Sequence, residues 1–322
     1  MALVNQGNIS EFFIQGFSDN IELRLSLFIV FLSIYLFILL GNLIVILVIS
    51  VNSHLHTPMY LFLLNLSIND ISSTTNILPN LLHILFTQQK NITFLGCMTQ
   101  LYIFMFLVSD EYILLAIMAY DRYVAICDPL HYIERMTQKH CTQLITASLA
   151  VSLLDPIPHT VFISELSYCS SHVIDYIFCD VVPLQKLSCS DTFNVELLTY
   201  IEGTLVVFNC FLLTLISYVF IILAILKIKS SKGRKKAFST CASHLICVII
   251  FYGTLISLYV RPTANYYPKR DKFFALLYIV LIPMLNPLIY TLKNREFQSA
   301  FNKLSTNYSF FPKGTIKTQM KI

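Results

Sequence analysis

Four sets of residues pair charge or hydrogen-bonding capacity with a spacing that could do chemistry. Asp70 follows Pro58 by twelve residues, and Glu111 precedes Arg122 by eleven. If both stretches are helical, each carboxyl lies about 18 Å from a common end, at 1.5 Å per residue. With Asn42 and Asn286 in neighbouring runs, the two acids could hold a proton, ordered water or a sodium ion. They could equally form a static hydrogen-bonded core. Asp121 and Arg122 are adjacent, follow an apolar stretch and precede Tyr123. Opposite charges there can neutralise each other at rest, and the guanidinium can later swing to another helix or partner. Asn286-Pro287 removes a helical hydrogen bond and bends the chain, with Tyr290 about one turn on. Glu202 is an acid about seven residues into an apolar run. Asp110, beside Glu111, points about 100° away from it and has no evident role.

This is the chemistry of a switch, in which charges change partners and no covalent bond is made. His54, His56, His131 and His244 lack a metal-ligand or catalytic spacing, no glycine-rich phosphate loop occurs, and the nine cysteines match no zinc pattern. The chain reads as neither an enzyme nor a cofactor or metal protein, apart from possible sodium at Asp70 and Glu111.

The elements that must position these residues are membrane helices. The 322 residues are 56% hydrophobic and 12% charged, and a mean hydropathy of +0.69 lies outside the range of a soluble domain. Apolar runs fall at about 24–49, 58–83, 94–126, 141–163, 195–228, 237–261 and 272–292, which makes seven. Residues 1–23 form a polar N-terminal segment with no cleavable signal pattern, 24–292 a single membrane domain, and 293–322 a tail. With the N-terminus outside, Arg135 and Lys139, then Lys227, Lys229, Lys232, Arg234, Lys235 and Lys236, then Lys293, Arg295 and Lys303 all fall on the cytoplasmic side, as the positive-inside rule requires. Glu11, Asp19, Glu22, Glu165, Asp175, Asp180 and Asp191 are expected as exposed acids outside. Asn8-Ile9-Ser10 is a glycosylation sequon on that side. Cys97, Cys169, Cys179 and Cys189 also lie there, and four cysteines allow three pairings. Cys127, Cys141, Cys210, Cys241 and Cys247 read as small packing residues. The basic residues sit in particular connections and form no nucleic-acid face. Neither repeated halves nor several discontinuous helices appear, which argues against a cation transporter or channel.

Four blocks identify a family resemblance: Leu55 to Asp70 (LHTPMYLFLLNLSIND), Met118 to Cys127 (MAYDRYVAIC) continuing to Tyr132, Lys236 to Leu245 (KAFSTCASHL), and Pro283 to Tyr290 (PMLNPLIY). In order and spacing they resemble the olfactory receptors among the rhodopsin-type (class A) G-protein-coupled receptors. The chain has no Trp, and Phe251-Tyr252-Gly253 stands where other rhodopsin-type receptors carry a Trp-and-Pro element. The resemblance implies an all-α seven-transmembrane helix bundle with an extracellular N-terminus and a short cytoplasmic amphipathic helix after the seventh span. It pairs Cys97 with Cys179 and Cys169 with Cys189. It implies an odorant bound by Phe104, Met105, Val108 and Ser109 of the third helix, Glu202, Gly203 and Val206 of the fifth, and Tyr252, Leu255, Ile256 and Tyr259 of the sixth. Glu202 would contact a cationic or hydrogen-bonding odorant, whereas Phe104 stands where amine receptors of the superfamily carry an aspartate, which argues against a biogenic-amine transmitter as ligand. Asp121, Arg122, Tyr123, Tyr218, Asn286, Pro287 and Tyr290 would form the coupling switch. By resemblance the partner is the stimulatory olfactory G protein, raising cyclic AMP, with anionic membrane lipid beside the basic third loop. The expected location is the plasma membrane of sensory cilia. The same architecture sensing a metabolite outside the nose is the alternative.

Overall fold

The computed structural model describes residues 10–17, 20–169, 172–259, 267–292 and 295–307. Asn8, Asp19 and Lys293, and the side chains of Lys232, Lys236, Tyr290 and Arg295, lie outside the described residues.

Seven helical passes form the bundle. The first is Ile21–Val51, the second Pro58–Thr87 and the third Phe94–Cys127. The fourth runs over Gln138–Leu154 and Pro156–Ser164, interrupted at Asp155 because Pro156 and Pro158 supply no N–H to the turn before them. The fifth comprises Phe193–Glu202, a wider π turn at Gly203–Val207, and Phe208–Leu226. The sixth is Ser231–Tyr259. The seventh comprises Pro268–Leu276, a π turn at Leu277–Leu281, and Ile282–Leu292. Five of these passes are apolar and long enough to cross a membrane on composition alone. The second is diluted by Asn65, Asn69, Asp70 and several serines, and the sixth starts in the basic segment around Arg234. Most passes run a few residues beyond the apolar runs, because a helix continues through polar residues until a cap ends it. Asn20, for instance, caps the first helix by accepting from the Glu22 N–H at 3.0 Å.

The third helix is central and packs on the second, fourth, fifth and sixth. It accordingly buries residues along its whole length, from Cys97 to Val124, whereas the first helix leaves Ile29, Leu40 and Leu47 uncovered. Outward-facing leucines and isoleucines of this kind suit a lipid solvent. After the seventh pass, Arg295–Asn307 forms a further helix whose Phe297 and Ala300 are buried in the cluster that also holds Val48, Ile49 and Leu55.

A small sheet, absent from the sequence expectation, covers the opposite end. Strand β1 (Glu11–Ile14) pairs antiparallel with β2 (Asn91–Thr93), Phe12 opposite Ile92, and parallel with β3 (Val173–Ile174), Phe13 opposite Val173. Phe12 is fully buried and meets Tyr168 edge-on at 5.1 Å. The N-terminal segment therefore packs on the mouth of the bundle. Lys272 ties it down, donating at 2.7 Å to both the Gly16 carbonyl and Asp175.

Candidate functional site

A cavity of about 410 Å³ opens among the third, fourth, fifth and sixth helices, a size suited to a small organic molecule. Phe104, Met105 and Val108 line it from the third helix, Glu202 and Gly203 from the fifth, and Tyr252, Leu255, Ile256 and Tyr259 from the sixth. Two expected lining residues do not reach it. Ser109, 1% exposed, is held by a 2.7 Å hydrogen bond to the Tyr112 hydroxyl, because one residue beyond Val108 is a 100° rotation away from the cavity. Val206 sits inside the π turn, where the wider spiral shifts the helical phase and presents Val207 and Phe208 instead.

The wall also contains residues that sequence reasoning missed. Tyr112 is two turns beyond Met105 and was available from helical phase. Thr199, Tyr200, Thr204 and Phe211 extend the fifth-helix face. His159 comes from the fourth helix, whose broken Asp155-Pro156 segment was the one available signal. Its Nε2 lies 3.3 Å from Glu202 Oε2 and 3.3 Å from Thr199 Oγ1. Glu202 thus faces inward rather than toward an aqueous interface.

The second outer loop closes the cavity with Asp180 and Val181. Cys97 is disulfide-bonded to Cys179 and Cys169 to Cys189, with Cα separations of 5.4 and 6.0 Å. The first bond fixes the loop to the top of the third helix, and the Gln100 side chain accepts from the Cys179 N–H at 2.9 Å. Asp180, expected as an exposed acid, is 2% exposed. It caps the short helix Val181–Leu187 and takes the Tyr259 hydroxyl on both oxygens at 3.0 Å. Burial pushes its carboxyl up to about 7, against the lowering effect of those hydrogen bonds.

Deeper in the bundle the acids are individually partnered. Asn286 donates to Asp70 Oδ1 and Oδ2 at 3.1 and 3.0 Å, and Tyr278 donates to Glu111 Oε2 at 2.9 Å. Glu111 Oε1 is buried without a partner among the described residues. Asn42 belongs to a different contact, donating to the Pro283 carbonyl at 3.1 Å. Asp110, left without a role by the sequence, accepts from Ser148 at 2.7 Å and so joins the third helix to the fourth.

At the end remote from the cavity, Asp121 and Arg122 form no direct ion pair among the described residues, although the guanidinium lies near enough for its charge to act on Asp121. Successive helical residues diverge by about 100°, and the structure gives them separate partners. Asp121 accepts from the Tyr132 hydroxyl at 2.9 Å, while Arg122 contacts the Met59 sulfur. Tyr123 packs against Phe220, and the Tyr218 hydroxyl is bonded to His244 Nδ1 at 2.6 Å. Just past the third helix, Asp128 binds His131 at 2.7 Å and Arg135 at 3.2 Å, and these partners, the His131 hydrogen bond foremost, hold its carboxyl below the usual range.

The family model described as "Olfactory receptor" matches residues 31–307. The chain belongs to the olfactory receptor family. Olfactory receptor 8U9 of Mus musculus is 46% identical over 304 residues, covering 94% of this chain and 97% of that protein. Olfactory receptor 1F1 of Homo sapiens is 46% identical over 307 residues, with the same coverage of 94% and 97%. Olfactory receptor 1G1 of Gorilla gorilla gorilla is 46% identical over 300 residues, covering 93% of this chain and 96% of that protein. The receptor is accordingly a multi-pass membrane protein of a G-protein-coupled, non-enzymatic family. Its cavity and its Asp121-Arg122 segment occupy opposite ends of one central helix, the arrangement that a ligand-gated coupling protein needs.

Proposed function

We propose that a small odorant entering the cavity between the third, fifth and sixth helices shifts an existing equilibrium toward a state whose cytoplasmic face accepts a stimulatory G protein. The observation carrying this reading is the cavity itself, mostly apolar, closed by a disulfide-tied loop and touching the central helix at Phe104, Met105, Val108 and Tyr112. The odorant site comprises the lining residues named above, Glu202 and Tyr252 among them. Arg122, Tyr218, Asn286, Pro287 and Tyr290 form the coupling switch. Arg122 is released from Met59 in the active state, since a guanidinium can move between partners without losing charge. The polar core around Asp70 and Glu111 changes its hydrogen bonds, proton or sodium occupancy between states. Residues 1–23 lie outside the cell and 293–322 in the cytoplasm, with Asn8 glycosylated. The basic segment from Lys227 to Lys236 meets the G protein or anionic lipid. The receptor works at the plasma membrane, in sensory cilia.

The test is a chemically diverse odorant library applied to cells expressing the full chain, with cyclic AMP as readout. A dose-dependent rise that disappears in Arg122→Ala at matched surface expression is expected. A full rise in that variant would overturn the assigned switch.

A further inference from the structure

The polar side of the cavity is built where the fourth helix breaks. Behind Glu202, Asp155 comes within hydrogen-bonding reach of it, and Asp155 Oδ2 accepts from the Tyr112 hydroxyl at 3.3 Å. In front, His159 Nε2 lies 3.3 Å from Glu202 Oε2. The imidazole side chain is 2% exposed, lines the cavity, and keeps Nδ1 without a partner among the described residues. Two carboxyl groups so close repel when both are ionised, and a positive charge beside them relieves that repulsion. The cavity wall supplies little of it: among the described residues, no Lys or Arg lines the cavity, and Asp180 adds a further acid. The third helix contributes no charge, since Phe104 packs edge-on against Phe178 at 4.7 Å and against Tyr278 at 5.8 Å. Much of the remaining wall, including Met105, Val108, Phe208 and Leu255, is apolar, with the hydroxyl groups of Thr199, Thr204 and Tyr252 among it.

We propose that the ligands of this receptor are small organic bases, alkyl amines protonated at neutral pH, whose ammonium group is received by Glu202, with Asp155 behind it and His159 beside it. An ammonium carries three N–H donors and no acceptor. Those donors suit the Glu202 carboxyl group and hydroxyl oxygens of the wall such as that of Thr199, while the alkyl chain occupies the apolar remainder. A carboxylic acid would meet like charge, and an alcohol brings no charge to the acidic pair. Asp155 acts as a positioning residue, since its carboxylate is tied to Tyr112. The inference rests on the odorant-gated coupling proposed above and narrows its ligand class.

The experiment compares straight-chain amines, alcohols and carboxylic acids of about four to eight carbons, lengths suited to a cavity of this size. Each is applied to cells expressing the full receptor with an N-terminal epitope, reading cyclic AMP at matched surface staining. Amines are expected to activate, alcohols to be at least about tenfold weaker, and acids to be silent. Glu202→Gln is expected to lower amine potency by about tenfold or more, the loss of a charge-assisted contact. Glu202→Asp keeps the charge and should recover part of it. Asp155→Asn should weaken amines while preserving their lead over alcohols. Alcohols or acids as potent as amines, or unchanged amine potency in Glu202→Gln, would overturn the proposal. Silence toward amines while other odorants raise cyclic AMP would overturn the ligand class alone. Silence toward every odorant would overturn the coupling on which it rests.

Discussion

The side-chain amide of Asn42 donates to the carbonyl of Pro283 at 3.1 Å, the oxygen that Pro287, four residues on, leaves without a helical donor. The proline-containing segment of the seventh helix is thereby stitched to the first helix. The two helices approach closely there, since a Cβ added at Gly41 would stand 3.3 Å from the Pro287 ring. Asn42→Leu is expected to cost about 1–3 kcal/mol, the penalty of an orphaned buried carbonyl. Thermal unfolding of the detergent-purified receptor measures it. Adding Pro287→Ala should return part of the loss by restoring an N–H for Pro283, and a fully additive double variant would contradict the link.

Stability should depend on pH through Asp180. Burial raises its folded carboxyl to about 7 from an ordinary 3.8, with the Asp271 charge adding to the shift and the Val181 N–H and Tyr259 hydroxyl opposing it. As pH rises from about 4 to about 7 the unfolded chain gives up its proton first, so the contribution is present at the acidic end and is lost across that window. Melting curves at pH 5 and pH 7.5 are expected to show a higher midpoint at pH 5. Asp180→Asn should flatten the difference, and an unchanged difference would place its origin elsewhere.

Lys272 holds the N-terminal segment through the Gly16 carbonyl and Asp175. Because Asp175 is exposed, Lys272→Ala should cost less than about 1 kcal/mol of global stability. Local opening of strand β1 is the sensitive readout. Proteolysis or hydrogen exchange over Glu11–Ile14 should speed up in this variant, with protection of the third helix unaltered.

The Tyr132 hydroxyl donates to Asp121 at 2.9 Å. Tyr132→Phe should leave Asp121 buried with one acceptor unmet, loosening the connection between the third and fourth passes. Odorant potency is expected to hold while maximal cyclic AMP falls by about twofold or more, since the cavity is untouched and the loss is of order one hydrogen bond. Equal loss of potency and maximum would indicate misfolding instead, which surface staining would reveal.

The apolar runs and the family blocks were legible in the sequence, because membrane insertion reads local hydropathy. Helix faces were harder to read. Lipid-facing and core-facing positions are both apolar in a membrane bundle, so the first helix, with Leu40 exposed and Ile38 buried, carries almost no periodic signal. Only the tertiary structure decided that the π turn at Gly203–Val207 rotates Val206 out of the cavity, that Asp180 is buried under Tyr259, and that residues 11–14 become a strand. It alone brought Asp155 and His159 to Glu202, more than forty positions along the chain. Hydropathy and helical phase are properties of neighbours in sequence. Such pairings are set by how whole helices tilt, break and wind against one another.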